Sequence, residues 1–502
     1  MQYAARNRQW ALLEDNVFDV AIIGGGINGA CLYHQLCTAG FSVLLLDKSD
    51  FAAGTSQASA MMVWGGLLYL RNFDLPSVRR LCRSRDRMLR DLAEWVKPCR
   101  FRYVPSGDGG LPPSLVHAAL YLYWLIGGCQ RRRPRREYDF PERSLLTTNL
   151  PHPSLVYEEA CVEPSDARFV LQWLLSTQGD RQAALNYCGL TDAAFDRSSQ
   201  TWRLDLHDTI LARPGPARAR WVVNAAGPWT DEINARHGLD SPYKHVLSKG
   251  VFITLRRDPR HQLPLIFPTR TDTDAMSLIP WGPVSLWGPT ETPVESIADG
   301  FSATPADVRA LLDELNHHLA HPVSPNDIIS LRCGLRPLAV HRAFGGAFNS
   351  LDLSRRHRIH RDADRPWISV YGGKLTDCVA TARATMALLK QSLPYNAAPP
   401  ARTAGLQPSI PFDSYPSLDE PVPAPTWCAA AESCWTLDDY LRRRTNVSQW
   451  VARGGLGQTG EHRAHLLRVA QVLTRGDAAA TNAVDAYERS MATAFDRTIA
   501  SC

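Results

Sequence analysis

Short, continuously apolar runs separated by glycines and polar turns set the pattern of this chain. Residues 20–23 (VAII) and 42–46 (SVLLL) read as buried strands of a parallel sheet, because helices cover both faces of such strands and leave no polar alternation. Residues 221–224 (WVVN) and 367–371 (WISVY) repeat the pattern, each running into small residues or glycine, and the second leads into a helical run at 379–390. Residues 247–255, 275–279 and 284–287 read as strands of a second unit. Nine prolines within the 32 residues 394–425 predict an extended, poorly packed linker. Beyond it, Thr436 and Asp439 form a capping-box pattern at a helix start, and further helices are expected over 461–473 and 478–500.

The first strand ends in Gly24-Gly-Gly-Ile-Asn-Gly29, a G-x-G-x-x-G that opens a helix. Gly24 allows a tight turn, Gly26 lets backbone approach a pyrophosphate, and Gly29 lets the helix pack closely on the strand. The helix N-terminus offers unpaired N–H groups and a positive dipole end. The second strand ends at Asp47, 18 residues past Gly29, where a carboxylate accepts from ribose hydroxyls. Strand, glycines, helix, strand and acid in register predict a dinucleotide site.

At 502 residues the chain is long enough for two or three domains, and 45% hydrophobic and 21% charged residues are ordinary for a soluble protein. A net charge of +5 is too diffuse to imply nucleic acid, and none is expected as a partner. The twelve cysteines form no framework and no C-x-x-C, which favours reduced thiols and a cytoplasmic setting; no metal site is expected. No signal peptide is evident, and no window reaches the roughly 20 apolar residues of a spanning helix. Residues 115–126 (LVHAALYLYWLI), followed by Arg131, Arg132, Arg133, Arg135 and Arg136, have the composition of a peripheral contact with the inner face of a membrane. A buried helix followed by a solvated loop fits the same residues.

Together these motifs resemble the FAD-dependent glycerol-3-phosphate dehydrogenase family, within the D-amino-acid-oxidase-like flavoproteins. The resemblance rests on 23–30 (IGGGINGA), 50–56 (DFAAGTS), 65–70 (GGLLYL), Asp166-Ala-Arg168 and 223–229 (VNAAGPW). It continues through Lys249-Gly250, 279–281 (IPW), 334–338 (GLRPL), 372–376 (GGKLT) and 437–445 (LDDYLRRRT). It implies an α/β fold: a discontinuous Rossmann-type FAD-binding domain over 17–75, 150–240 and 345–392, and an α+β substrate domain over 76–149 and 241–344. A linker over 393–426 and a small helical C-terminal domain over 427–502 complete it.

For FAD the resemblance implies Asp47 at the adenosine ribose and Gly24, Gly26, Asn28 and Gly29 at the pyrophosphate end. Thr55 and Ser56 are expected to supply hydroxyls near the pyrophosphate and ribityl chain, although simple turn capping explains them too. Ala226 and Gly227 fall on the adenine side, and Gly373, Lys374 and Leu375 at the flavin ring. The implied chemistry is hydride transfer from a C–H beside a hydroxyl to flavin N5, with electrons passed to a quinone-type acceptor. Arg336 and Lys374 are the catalytic candidates; His245 is a weak candidate for the base.

The substrate pocket departs from the family. Where members generally have Ser-Lys-Leu-Ile-His-Gly-Gly-Leu-Arg-Tyr-Leu, this chain has 60–70 as AMMVWGGLLYL, so that Met61, Trp64 and Leu68 replace lysine, histidine and arginine. Phe252 replaces the histidine of Lys-Gly-x-His. Trp64, Leu68, Tyr69, Phe252 and Arg336 are the expected pocket, with Arg355 or Arg356 as compensating cations. A small-molecule substrate other than glycerol 3-phosphate is expected. An amine or amino-acid oxidase of the same fold and a catalytically silent homologue stay open.

Overall fold

The computed structural model describes residues 2–70, 73–105, 111–147, 153–269, 275–345, 353, 356–393, 402–403 and 410–502. Arg355 lies outside them. The parallel heart of the first sheet runs in the order Gln182–Leu185, Val43–Leu46, Val17–Ile23, Arg213–Asn224, Trp367–Tyr371, with Arg358–Arg361 added antiparallel at the edge. All four residues of Val43–Leu46 are buried, which explains the absence of alternation in the sequence. On one face, helix Ile27–Thr38 packs against helices Asp166–Leu175 and Cys378–Lys390. On the other, helix Gln2–Asp15, not expected from sequence, inserts Trp10 and Leu13 beside Phe18 and Trp202.

The second sheet is mixed, mostly antiparallel, and built on Tyr243–Arg256, which pairs along its length with Ile328–His341. Helix Pro305–His318 covers it, packing Val308, Leu311 and Leu315 with Val251, Ile253 and Trp287. Strands Met62–Val63 and Ser154–Val162 also pair in this sheet, so boundaries at 75 and 150 do not follow the sheets. Both segments lie within the spans expected for the FAD-binding domain, yet pair in this second sheet rather than the first. Their residues read equally well as buried strands of either one, and pairing alone decides.

The C-terminal helices Arg463–Leu473 and Asp477–Met491 close over Tyr440, Leu441 and Val447. Thr436 and Asp439 make the expected reciprocal cap: Asp439 N–H donates to Thr436 Oγ1 at 3.1 Å, and Thr436 N–H to Asp439 Oδ2 at 3.1 Å. The described end of the proline-rich stretch differs from a poorly packed linker. Phe412–Asp413 pairs with Val422–Pro423, and Tyr415 is buried with its hydroxyl on the Gly455 carbonyl at 2.8 Å. Proline removes ladder donors but leaves an aromatic between them free to dock.

Candidate functional site

A groove opens at the carboxyl ends of strands Val17–Ile23, Val43–Leu46, Arg213–Asn224 and Trp367–Tyr371, where open α/β sheets bind ligands. Gly24, Gly26, Asn28, Asp47, Thr55, Ser56, Ala226, Gly227, Gly373, Lys374 and Leu375 line it. Gly24 takes φ +107°, and a Cβ there would stand 2.6 Å from the Ala225 carbonyl oxygen, so only glycine serves. Gly29 does not line the groove. A Cβ at Gly29 would meet the Gly24 carbonyl oxygen at 1.9 Å, so its part is close helix–strand packing.

Asp47 Oδ2 accepts from Gly25 N–H at 2.7 Å and Oδ1 from Ser49 N–H at 2.8 Å. Burial pushes its carboxyl up to about 6, against the lowering effect of those two N–H groups. Ser56 Oγ accepts from Ile27 N–H at 2.9 Å, capping the glycine-loop helix from a distant segment. Thr55 donates to the Leu335 carbonyl at 2.5 Å, which ties the loop to the second sheet. Both hydroxyls thus fix the loop at the groove's edge.

Asn28 Nδ2 donates to the Gly372 carbonyl at 3.1 Å, while its Oδ1 is buried with no hydrogen-bond partner. That orphaned acceptor, the bare backbone at Gly26 and Gly373, and the helix N-terminus fit a dinucleotide with a polar ring at one end. Trp229 also lines the groove, stacked on Phe301 at 5.5 Å and beneath Lys48 Nζ at 4.3 Å. Only its place after Gly-Pro marked it in the sequence.

His245 is positioned as a clamp. Its Nδ1 meets Asp231 Oδ2 at 2.9 Å and its Nε2 accepts from Gly372 N–H at 3.0 Å, so both ring nitrogens are engaged. Lys249 is buried against Asp307 at 2.6 Å.

The expected substrate residues do not line the cofactor groove. Phe252 and Met61 are 2% and 3% exposed and belong to one buried cluster with Ile279, Trp281, Val284 and Leu286. Trp64 packs edge-on to Phe101 with centroids 6.3 Å apart, and Leu68 is 37% exposed. Tyr69 lies under Lys374, whose Nζ is 4.5 Å from the ring centroid. Arg336 lies across Gly250 and donates to the Thr290 carbonyl at 3.3 Å, with Glu291 at 4.0 Å. Arg356 is held by Asp74 at 2.9 Å and by Ser77, at the start of helix Leu75–Asp91. It is not the compensating cation expected.

A buried charge cluster that the sequence did not reveal supports 60–70 from beneath. Glu159 accepts from Gly65 N–H at 3.1 Å, from Arg85 at 2.7 Å and from the Tyr123 hydroxyl at 2.5 Å. A second such cluster surrounds Asp50, which meets Arg443 and Arg444 of the C-terminal region.

The chain is 29% identical over 401 residues to glycerol-3-phosphate dehydrogenase 2 of Mycobacterium tuberculosis, covering 79% of this chain and 67% of that protein. It is 26% identical over 387 residues to D-erythritol 1-phosphate dehydrogenase of Brucella abortus, covering 76% of each. The FAD complex of glycerol-3-phosphate dehydrogenase from Bacillus halodurans superposes with a TM-score of 0.72 over 98% of both chains at 18% identity, a likeness of fold. A family profile described as FAD dependent oxidoreductase matches residues 19–360, the span that contains the glycine loop, Asp47 and the strand before Ala226. With that match covering more than half of its length, the chain belongs to the FAD dependent oxidoreductase family, and FAD is its cofactor.

Proposed function

We propose that the chain oxidises a hydroxyl-bearing carbon of a small substrate that is less anionic than glycerol 3-phosphate, in the manner of the dehydrogenases it resembles. Bound FAD supplies the hydride acceptor. Gly24, Gly26, Asn28, Asp47, Ala226 and Gly227 would hold its nucleotide half, and Gly373, Lys374 and Leu375 its ring. Lys374 would stabilise negative charge at the ring or polarise the oxidised oxygen, and Arg336 would orient one anionic or polar group of the substrate.

The observation behind the substrate class is the packing of Met61 with Phe252 in one buried cluster. Where relatives of this type present a lysine and a histidine, this chain has core. Leu68 removes a third polar group. One charge-assisted hydrogen bond to phosphate contributes about 1.5–3 kcal/mol, so each lost cation should weaken phosphate binding by roughly one to two orders of magnitude. Anaerobic bleaching of the flavin by glycerol 3-phosphate is expected to be slow and to improve about tenfold or more in Leu68→Arg, a half-exposed position that accepts the longer side chain. Fast wild-type bleaching at micromolar glycerol 3-phosphate would overturn the proposal. Faster bleaching by an amino acid than by any alcohol would establish the oxidase alternative.

We further propose a quinone-type acceptor reached at a membrane surface through helix Pro113–Ile126. The support is exposed apolar area on a helix whose buried residues are Leu120 and Tyr123: Leu115, Leu122 and Leu125 are 52%, 47% and 57% exposed. Arg132 and Arg135, 76% and 57% exposed, flank it. No helix among the described residues is long and apolar enough to cross a membrane. Binding to phosphatidylglycerol vesicles should weaken as salt rises and be lost when Arg131, Arg132, Arg133, Arg135 and Arg136 are changed to glutamine. Equal binding by wild type and variant would refute this contact.

A further inference from the structure

Helices Ile27–Thr38, Leu75–Asp91 and Cys378–Lys390 flank a second, open cavity, about 750 Å³ in volume, on the helical side of the nucleotide sheet. Its apolar lining comes from Met88, Leu92, Trp173, Val379 and Met386. Arg79, Arg80, Arg83, Arg87 and Arg383 line it as well, against the carboxylates of Asp91 and Asp377. Arg79, Arg83 and Arg87 follow one another at four-residue spacing, so three like charges share one helix face, an arrangement that repels itself in the absence of an anion. Arg80 is paired with Asp377 at 2.6 Å. Among the described residues, no carboxylate lies within 4.0 Å of Arg79, Arg83, Arg87 or Arg383.

Two polar atoms of the lining residues lack partners. Trp173 is 8% exposed and its Nε1–H is buried without an acceptor; Gln35 Oε1 is buried without a donor. A buried indole N–H normally finds an acceptor. The cavity therefore combines a volume suited to an organic ligand, an apolar wall and an excess of arginines.

We propose that this cavity is a second ligand site, separate from the cofactor groove, for an anionic amphiphile. A phosphate or carboxylate head lies among Arg79, Arg83, Arg87 and Arg383, and an aliphatic or aromatic body lies over Met88, Trp173 and Met386. A free anionic metabolite and the headgroup and chain of a lipid share this chemistry. The site shares no lining residue with helix Pro113–Ile126.

The test is calorimetric titration of the FAD-loaded full chain with dodecyl phosphate below its micelle concentration. Dodecyl maltoside serves as the uncharged equal-chain probe, and inorganic phosphate as the head alone. The variant is Arg83→Gln/Arg87→Gln/Arg383→Gln, three exposed positions; Arg80 is left in place because it anchors Asp377. One dodecyl phosphate should bind per chain, at least about tenfold more tightly than either partial probe and at least about tenfold more weakly in the variant. Flavin absorbance and thermal midpoint should not change in the variant, which separates lost binding from lost folding. Absent binding, equal affinity for the maltoside, or equal affinity in the variant would overturn the site. Given the expected result, phosphatidylglycerol-vesicle binding weakened by the same variant assigns a lipid as the source, and vesicle binding the variant leaves unchanged assigns a free molecule.

Discussion

Replacing Asp50 with alanine should destabilise both the C-terminal region and the cofactor loop. Asp50 is 1% exposed, and Oδ2 accepts from Arg443 Nε and Arg444 Nη1, both at 2.5 Å. Oδ1 accepts from Arg444 Nη2 at 2.9 Å and Asn186 Nδ2 at 2.7 Å. Arg443 keeps Asp438 and Asp439, at 2.6 and 2.8 Å, but Arg444 has no other carboxylate within 4.0 Å among the described residues. Removing one partner of a buried pair leaves an uncompensated charge, which costs about 3–5 kcal/mol, or roughly two to four powers of ten in the unfolding equilibrium of that region. The C-terminal region also grips the far end of the same loop, since Arg442 donates to the Gln57 carbonyl at 2.5 Å and Arg443 to Gln57 Oε1 at 3.1 Å. Thr55 and Ser56 lie between these two grips, so FAD should dissociate faster from Asp50→Ala.

Burial alone would raise the Asp50 carboxyl, but Arg444 and Arg443 overcome it and hold the group at about 2, below its ordinary 3.8. A depressed carboxylate contributes its stabilisation above the unfolded value, and that contribution is lost as pH falls through the folded one. The difference between wild type and Asp50→Ala should therefore be full above pH 4 and shrink toward about pH 2. Denaturant unfolding across this range, with flavin release followed by fluorescence, reads both effects. An unchanged midpoint at pH 7 would refute the charge argument. A lowered midpoint with unchanged FAD release would refute the clamp while leaving the charge argument intact.

Gly29→Ala should cost about 1–3 kcal/mol and leave the purified protein depleted in flavin, because the new methyl meets a backbone oxygen that cannot move without the strand; the flavin-to-protein absorbance ratio measures it. With the ribose donating to its carboxylate as proposed, Asp47, raised to about 6, should make FAD affinity fall as pH drops below that value, by up to tenfold per pH unit. Asp47→Asn should bind FAD more weakly and without that pH dependence, and a parallel pH dependence in the variant would remove Asp47 as its source.

What the sequence revealed was local. The glycine loop, the adjoining strands and Asp47 lie within about 30 residues, and steric rules for glycine and the burial of parallel strands translate directly into spacing. The Asp50 cluster spans 393 and 394 residues in the chain, and nothing near Asp50 distinguishes a carboxylate awaiting two arginines from an ordinary turn acid. His245 stands beside Lys249 in the sequence, yet its ring is held by Asp231, 14 residues away, and by Gly372, 127 residues away. The pairing of Met62–Val63 with Ser154–Val162 in the second sheet was not legible for the same reason, since register between distant segments leaves no trace in local composition.

Met61 and Phe252 show this limit at the point where function is decided. A large apolar residue at a pocket position and a large apolar residue in a core read alike, because both answer the same demand to leave water. The resemblance has a lysine and a histidine where Met61 and Phe252 stand, and it implied Phe252 as a pocket residue. Their meeting in one cluster with Ile279 and Trp281 changes the energetic argument. A single return of histidine at Phe252 would bury an imidazole among apolar neighbours, with a desolvation cost that a lysine or histidine facing a phosphate does not bear. Met61 and Phe252 thus pack in one core, and the half-exposed Leu68, outside that cluster, is the position from which phosphate recognition can be probed without disturbing it.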